Sequence, residues 1–215
     1  MALIAVATRK GGVGKTTIAT NLAAAHAKHG HAVKLVDSDF DEYAFMWGTL
    51  RDEMGVKPEI KYSKMRGDIY AALKAEKETN STVIVDVGGK HSPELVYAVG
   101  ICDVLVLPVK AGQFDVWSLA AMAQMVRACQ IDGIHFRVVP VMNDIAADER
   151  NVLNQGLEND LAKLADLFGK PCKIVHRNAF SLAAMEGKGV LEMARNRDTA
   201  KAQDEIAALY AEVFK

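Results

Sequence analysis

The residues richest in chemistry stand in one unbroken run, Lys10-Gly11-Gly12-Val13-Gly14-Lys15-Thr16-Thr17. Glycines let a backbone curl until successive N–H groups face one point. A strand before the loop and a helix after it add the positive end of a helix dipole. That geometry suits the β-phosphate of a nucleotide. Lys15 then supplies a point charge to the β- and γ-phosphates, the Thr16 hydroxyl ligates Mg²⁺, and Thr17 reaches the α-phosphate. A glycine-rich turn alone is weak evidence. Gly-Lys-Thr-Thr between a strand and a helix is the context a phosphate loop requires.

Alternating elements are needed to hold such a loop. Apolar, β-branched runs recur at Leu3–Thr8, Val33–Asp37, Val83–Val87, Val104–Val109, Arg137–Met142 and Cys172–Val175, with a weaker one at Glu59–Tyr62. The first six do not alternate in polarity, which suits strands covered on both faces. Helical patterns lie between them at Lys15–His29, Arg66–Glu78, Val116–Gln130 and Glu149–Phe168, and at the end of the chain in Lys201–Phe214. Repeated βα units predict an α/β fold: a doubly wound, mostly parallel sheet with helices on both faces and ligands at the carboxyl ends of the strands. No linker or repeat divides the 215 residues, so one domain spanning 1–215 is expected.

The loop departs from the common spacing. GxxxxGK(S/T) puts a glycine at position 9, where this chain has Arg9 followed by Lys10, whereas KGGxGKT(S/T) matches at every position. That variant resembles the deviant Walker A loop of the ParA/MinD family of P-loop ATPases. The resemblance covers nearly the whole chain and is strongest at residues 3–39 and 83–109. The absence of a helix-turn-helix segment before the loop is similar to the small plasmid-partition subclass. The resemblance implies slow, partner-stimulated hydrolysis of Mg-ATP. It also implies that Lys10 crosses a dimer interface to the partner's nucleotide.

The same resemblance assigns further roles. Asp37 and Asp39, in Asp37-Ser38-Asp39-Phe40-Asp41, match the Mg²⁺-side carboxylate and the one that positions the attacking water, while Phe40 and Asp41 replace the family's Pro and Gln. Asp86, closing Val83-Ile84-Val85-Asp86, matches the acid that holds Mg²⁺ through water, with Gly88 and Gly89 as a γ-phosphate switch. Asn143 matches a position that reads adenine. Arg177 belongs to a segment near the base in which His176 replaces proline. The implied catalytic set is Lys10, Lys15 and Asp39, and the metal set Thr16, Asp37 and Asp86.

Between residues 170 and 201 the chain has seven Lys/Arg against three acids. That excess fits nonspecific DNA binding by phosphate neutralisation, with Lys173, Arg177, Lys188, Arg195 and Arg197 as candidates and Arg150 beside them. The expected partners are a second copy of the chain with ATP, DNA, and a ParB-like or small centromere-binding protein carried by the cargo. The expected location is the cytoplasm, on the nucleoid when ATP is bound. A MinD-like membrane anchor would need a basic polar face on the last helix. Asp204, Glu205 and Glu212 occupy it instead, so that helix is expected to dock on the core. A dethiobiotin-synthetase-like ligase would share the fold, but Lys10 with the paired aspartates favours the switch ATPase.

Bulk composition narrows the rest. A formal net charge of -1 gives no global basic excess, and the hydrophobic and charged fractions, 50% and 25%, are those of an ordinary globular chain. Cys102, Cys129 and Cys172 have no CxxC spacing, which argues against a zinc site or disulfide framework. It also leaves no paired-cysteine cluster site of the nitrogenase iron-protein kind. The apolar start MALIAVAT is too short for a signal sequence or a membrane span and reads as the first strand.

Overall fold

The protein is described by a computed structural model over residues 2–89, 92–148 and 150–215. Its apolar runs form β1 (Ala2–Val6), β2 (Lys34–Asp37), β3 (Lys61–Lys64), β4 (Thr82–Asp86), β5 (Val104–Val109), β6 (Arg137–Ile145) and β7 (Cys172–Val175). The helices between and after them are α1 (Lys15–Lys28), α2 (Tyr43–Glu53), α3 (Tyr70–Thr79), α4 (Pro93–Ile101), α5 (Gln113–Ile131), α6 (Val152–Ala162), α7 (Asn178–Met185) and α8 (Ala200–Val213).

All strand pairs are parallel, in the order β3-β2-β4-β1-β5-β6-β7. The α/β doubly wound expectation therefore holds, with a sheet that is wholly parallel. β4 and β5 are buried at every residue because helices cover both faces. Ile4, Val6, Ile84 and Val106 pack with α1 and α8 on one face, while Leu3, Ala5, Val85 and Leu105 pack with residues of α3 to α6 on the other. The chain winds first to one side of β1 and then to the other. A crevice at the carboxyl edge above β1 follows from that reversal.

Register sets what meets there. Asp86 pairs with Val6 of β1 and with Asp37 of β2, so two carboxylates and the start of the glycine loop reach the crevice at one height. α1 is rich in alanine and buried from Ile18 to Ala27. Its small side chains let the helix sit close against both the sheet and α8.

Several boundaries differ from the sequence reading. The weak strand expected at Glu59–Tyr62 lies two residues later as the edge strand β3. The helix expected from Arg66 starts at Tyr70, because Gly67 takes a left-handed φ of 75° that ends regular structure there. The helix expected over Glu149–Phe168 spans Val152–Ala162, where the Asn151 side chain caps Leu153 and Asn154 N–H; its expected first residue, Glu149, lies outside the described residues. α2, α4 and α7 were not expected. For α4 a local signal existed: Ser92 caps Leu95 N–H and Pro93 holds the first helical position. The last helix docks as expected, with Ile206, Leu209 and Val213 buried.

Candidate functional site

The glycine loop joins β1 to α1. Gly12 and Gly14 take left-handed φ values of 72° and 90°, conformations that cost other residues free energy, so the curl depends on them. A Cβ on Gly14 would lie 2.2 Å from Asn143 Nδ2, which itself donates to Val13 O at 2.7 Å. Asn143 thus comes up from β6 and clamps the loop from behind. A Cβ on Gly89 would lie 2.7 Å from Lys15 Nζ and 2.9 Å from Gly11 N. The segment after β4 therefore rests directly on the loop, and a side chain there would displace the lysine.

Lys15 is buried and curls back to donate to Lys10 O at 3.3 Å. Burial lowers its pKa, while the charges of Asp86 and Asp39 pull the other way. An ammonium held over a loop of N–H groups suits an anion. Lys10 takes a different path: its Nζ donates to Asp115 Oδ2 at 2.5 Å, at the first turn of α5. Asp115 is 4% exposed, and its Oδ1 has no partner among the described residues.

The carboxylates gather beside the loop. Thr16 Oγ1 donates to Asp86 Oδ2 at 2.6 Å. Asp86 is fully buried, and burial, with the charges of Asp37 and Asp39 adding, pushes its pKa up to about 7 against the Thr16 bond and Lys15. Its Oδ1 is unpartnered among the described residues. A buried carboxyl with an unpartnered oxygen fits a cation ligand. Asp37 is buried with its pKa raised by that burial, and its two oxygens accept from Asp39 N–H and Phe45 N–H, each at 2.9 Å. Asp39 is half-buried and accepts from Asp41 N–H at 3.3 Å.

Among the described residues no cluster of three or more His, Cys, Asp or Glu side chains could cage a metal alone. The donor set present, Thr16 hydroxyl and aspartate oxygens beside a phosphate loop, fits Mg²⁺, which keeps its waters and shares itself with substrate phosphates. The cleft over these groups has a volume of about 880 Å³, enough for a nucleotide, and runs from Gly11–Ile18 to Asn143, Asp144, His176, Arg177 and Phe180.

The far end of the cleft carries its own network. Asp144, at a left-handed φ of 58°, accepts from Lys110 Nζ at 2.6 Å and lies 2.5 Å from His176 Nδ1. The Lys110 and His176 bonds hold its carboxyl below the usual range, although burial acts in the opposite direction and is the largest single influence. Arg177 reaches into the cleft wall and is held by Glu205, with NH2 to Oε1 at 2.6 Å. The remaining basic candidates pair on the surface: Arg150 with Asp148, Lys173 with Glu158, Lys188 with Glu186 and Arg195 with Asp204. Arg197 is exposed.

Of the expected residues, Gly11, Gly12, Gly14, Lys15, Thr16, Thr17, Asp39, Asn143 and Arg177 line one crevice, Val13, Asp37 and Asp86 are buried beside it, Lys10 turns onto Asp115, and the basic surface residues stay outside. Sequence reasoning missed Asp115, Asp144, Glu205 and Arg66. The first three are long-range partners with no local signal; Arg66 was placed in a helix, although the glycine after it marks a loop.

Residues 4–191 match the family described as the CobQ/CobB/MinD/ParA nucleotide binding domain. The chain is 27% identical over 219 residues to the "Maintenance of carboxysome distribution protein A" of Halothiobacillus neapolitanus, covering 98% of this chain and 95% of that protein. Its fold is similar to apo McdA of Cyanothece, with a TM-score of 0.74, 15% identity and full coverage of both chains. It is also similar to a putative plasmid partition protein of Borrelia burgdorferi bound to AMPPNP, with a TM-score of 0.70, 16% identity and 98% of both chains covered.

Proposed function

This chain belongs to the CobQ/CobB/MinD/ParA nucleotide binding domain family, and from that premise we propose that residues 1–215 form a single ATP-driven dimerising switch that positions a cargo. It is an ATPase whose cofactors are ATP and Mg²⁺. The observation that carries the reading is the division of labour between two lysines of one loop. Lys15 is buried over the phosphate position, while Lys10 stands at the loop's outer edge with its side chain 35% exposed.

The loop N–H groups and Lys15 bind the phosphates, and Asn143 keeps the loop curled. Thr16, Asp37 and Asp86 would hold Mg²⁺, which when bound neutralises β- and γ-phosphate charge. Asp39 orients the attacking water. Lys10 of each subunit completes the other's site, so nucleotide state controls assembly. Exposed Phe114 and Trp117 flank Asp115, and Phe40 and Tyr43 line the cleft mouth. Large apolar side chains exposed around a site of this kind support burial against a second copy.

The track in this reading is nonspecific DNA. Arg150, Lys173, Lys188, Arg195 and Arg197 remain its candidates, because solvated ion pairs are worth well under about 1 kcal/mol and open readily to phosphate. Arg177, by contrast, is committed to the cleft. The cargo would be recruited through a small partner protein in the cytoplasm, the ATP form sitting on the nucleoid. A relative bears a carboxysome-distribution name and a structural neighbour a plasmid-partition one, so both a carboxysome and a plasmid fit this reading. No helix among the described residues is long and apolar enough to cross a membrane.

The test is a pair of variants. Lys15→Ala abolishes ATP binding, whereas Lys10→Ala keeps it and loses ATP-dependent dimerisation in light scattering. A Lys10→Ala chain that still dimerises with ATP refutes the trans role. Equal retention on nonspecific DNA with ATP and with ADP at low salt refutes the DNA track.

A further inference from the structure

The segment 38–42 between β2 and α2 presents Asp39 to the cleft, and its tip is not packed. Phe40 is 88% exposed and Asp41 is exposed. Glu42 takes a left-handed φ of 57° that a non-glycine residue adopts only when its surroundings enforce it. Ser38 at its start is buried and Glu42 N–H donates to Asp39 O at 3.1 Å, but the outer residues need a further polar hold.

We propose that Arg66 is the positioning residue for hydrolysis: its guanidinium fixes the Asp37–Glu42 backbone and so sets where the Asp39 carboxylate points. The inference rests on the reading of Asp39 as the water-orienting group. Arg66 NH1 donates to Asp37 O and to Met65 O, each at 2.9 Å. Its NH2 donates to Asp39 O and reaches Glu42 Oε1 at 3.4 Å. One rigid, planar fork therefore ties the last residue of β2 to the carbonyl of Asp39 itself. Lys64 Nζ holds the other oxygen of Glu42 at 2.9 Å, so the turn is gripped on both sides from the β3 end.

The clamp is anchored in turn. Gly67, left-handed and immediately after Arg66, donates its N–H to Glu94 Oε1 of α4 at 2.7 Å, and Glu94 is buried. A Cβ on Gly88 would meet Asp39 Cα at 3.4 Å. The turn carrying Asp39 is thus fixed against both the β3 exit and the segment after β4. Arg66 lines the nucleotide cleft but bonds the 37–42 segment through the Asp37 and Asp39 carbonyls and the Glu42 carboxylate. Its action falls on the geometry of Asp39 more than on nucleotide affinity.

The experiment measures steady-state ATP turnover and fluorescent-ADP affinity for Arg66→Ala, Arg66→Lys and Asp39→Ala in the full chain, with Tm recorded for each. Arg66→Ala is expected to lower kcat at least tenfold while KM and ADP affinity stay within threefold. Arg66→Lys is expected to fall between it and the wild type, since an ammonium cannot span both carbonyls. A kcat within twofold of wild type in Arg66→Ala, or ADP affinity falling in step with kcat, overturns the inference. If Asp39→Ala also turns over at the wild-type rate, the reading of Asp39 fails and takes this inference with it. If Asp39→Ala is inactive and Arg66→Ala is not, only the inference fails.

Discussion

Lys10 has two competing partners under the switch reading. In the single chain it donates to Asp115 Oδ2 at 2.5 Å, so the cation meant for the other subunit is neutralised at home. Asp115 is buried with its second oxygen unpartnered among the described residues, which makes loss of the lysine costly. ATP must then offer Lys10 a better anion before the dimer closes. Asp115→Asn removes the competitor, and the ATP concentration for half-maximal dimerisation should fall about fivefold, corresponding to about 1 kcal/mol of released competition. Light scattering across an ATP titration reads that midpoint; a shift to higher ATP would show that Asp115 assists the dimer instead.

Two inter-element contacts fix how the helices sit beneath the site. Arg51 of α2 is 1% exposed and binds Glu192 through both nitrogens, at 2.8 and 2.6 Å, with further bonds to Gly187 O and Pro58 O. Removing one partner of a buried pair strands the other, so Arg51→Ala should cost about 3–5 kcal/mol in urea unfolding. An effect below about 1 kcal/mol would mean that Glu192 finds solvent. His26 of α1 lies between Thr82 Oγ1 at 2.9 Å and Tyr210 OH at 3.1 Å. Burial, with the charges of His31 and His29 adding, lowers its pKa to about 4. The unfolded chain, with His near 6.5, then binds more protons between those values. Stability contributed by the neutral ring is full above pH 6.5 and is lost as pH falls toward 4, on the order of 2–3 kcal/mol. Unfolding midpoints across that window measure it, and His26→Gln should flatten the slope.

At the scale of the molecule, the proposed switch places catalysis and assembly together at the carboxyl edge of the sheet. Phe114 and Trp117 stand 70% and 61% exposed, edge to face with ring centroids 5.5 Å apart, one residue before and two after the aspartate that holds Lys10. If that edge closes on a second copy, Trp117→Ser should weaken the ATP dimer about tenfold while leaving monomer ADP affinity unchanged. Analytical ultracentrifugation with ATP tests this, and an unaltered dimer would place the aromatics outside the interface. The surface cations make a separate point. Arg195 and Asp204 are 58% and 64% exposed, and under the proposed DNA track a pair so solvated would leave phosphate free to compete, with a steep salt dependence of DNA retention as the expected signature.

The phosphate loop, the parallel sheet and most strand positions were legible in the chain itself. A glycine loop after an apolar strand and buried strands without alternation are local patterns with local causes. The positions of Asp37 and Asp86 at strand ends were legible for the same reason. What only the tertiary structure decided were the contacts made across the crevice: Lys10 on Asp115, Asn143 behind Gly14, Glu205 on Arg177 and Arg66 on the Asp39 turn. Their partners lie 105, 28 and 27 residues away for Lys10, Arg177 and Arg66. No spacing rule reaches that far; parallel register and crossover winding bring those side chains together. The loop's own residues thus specify a phosphate site, and the sheet's topology decides which groups surround it.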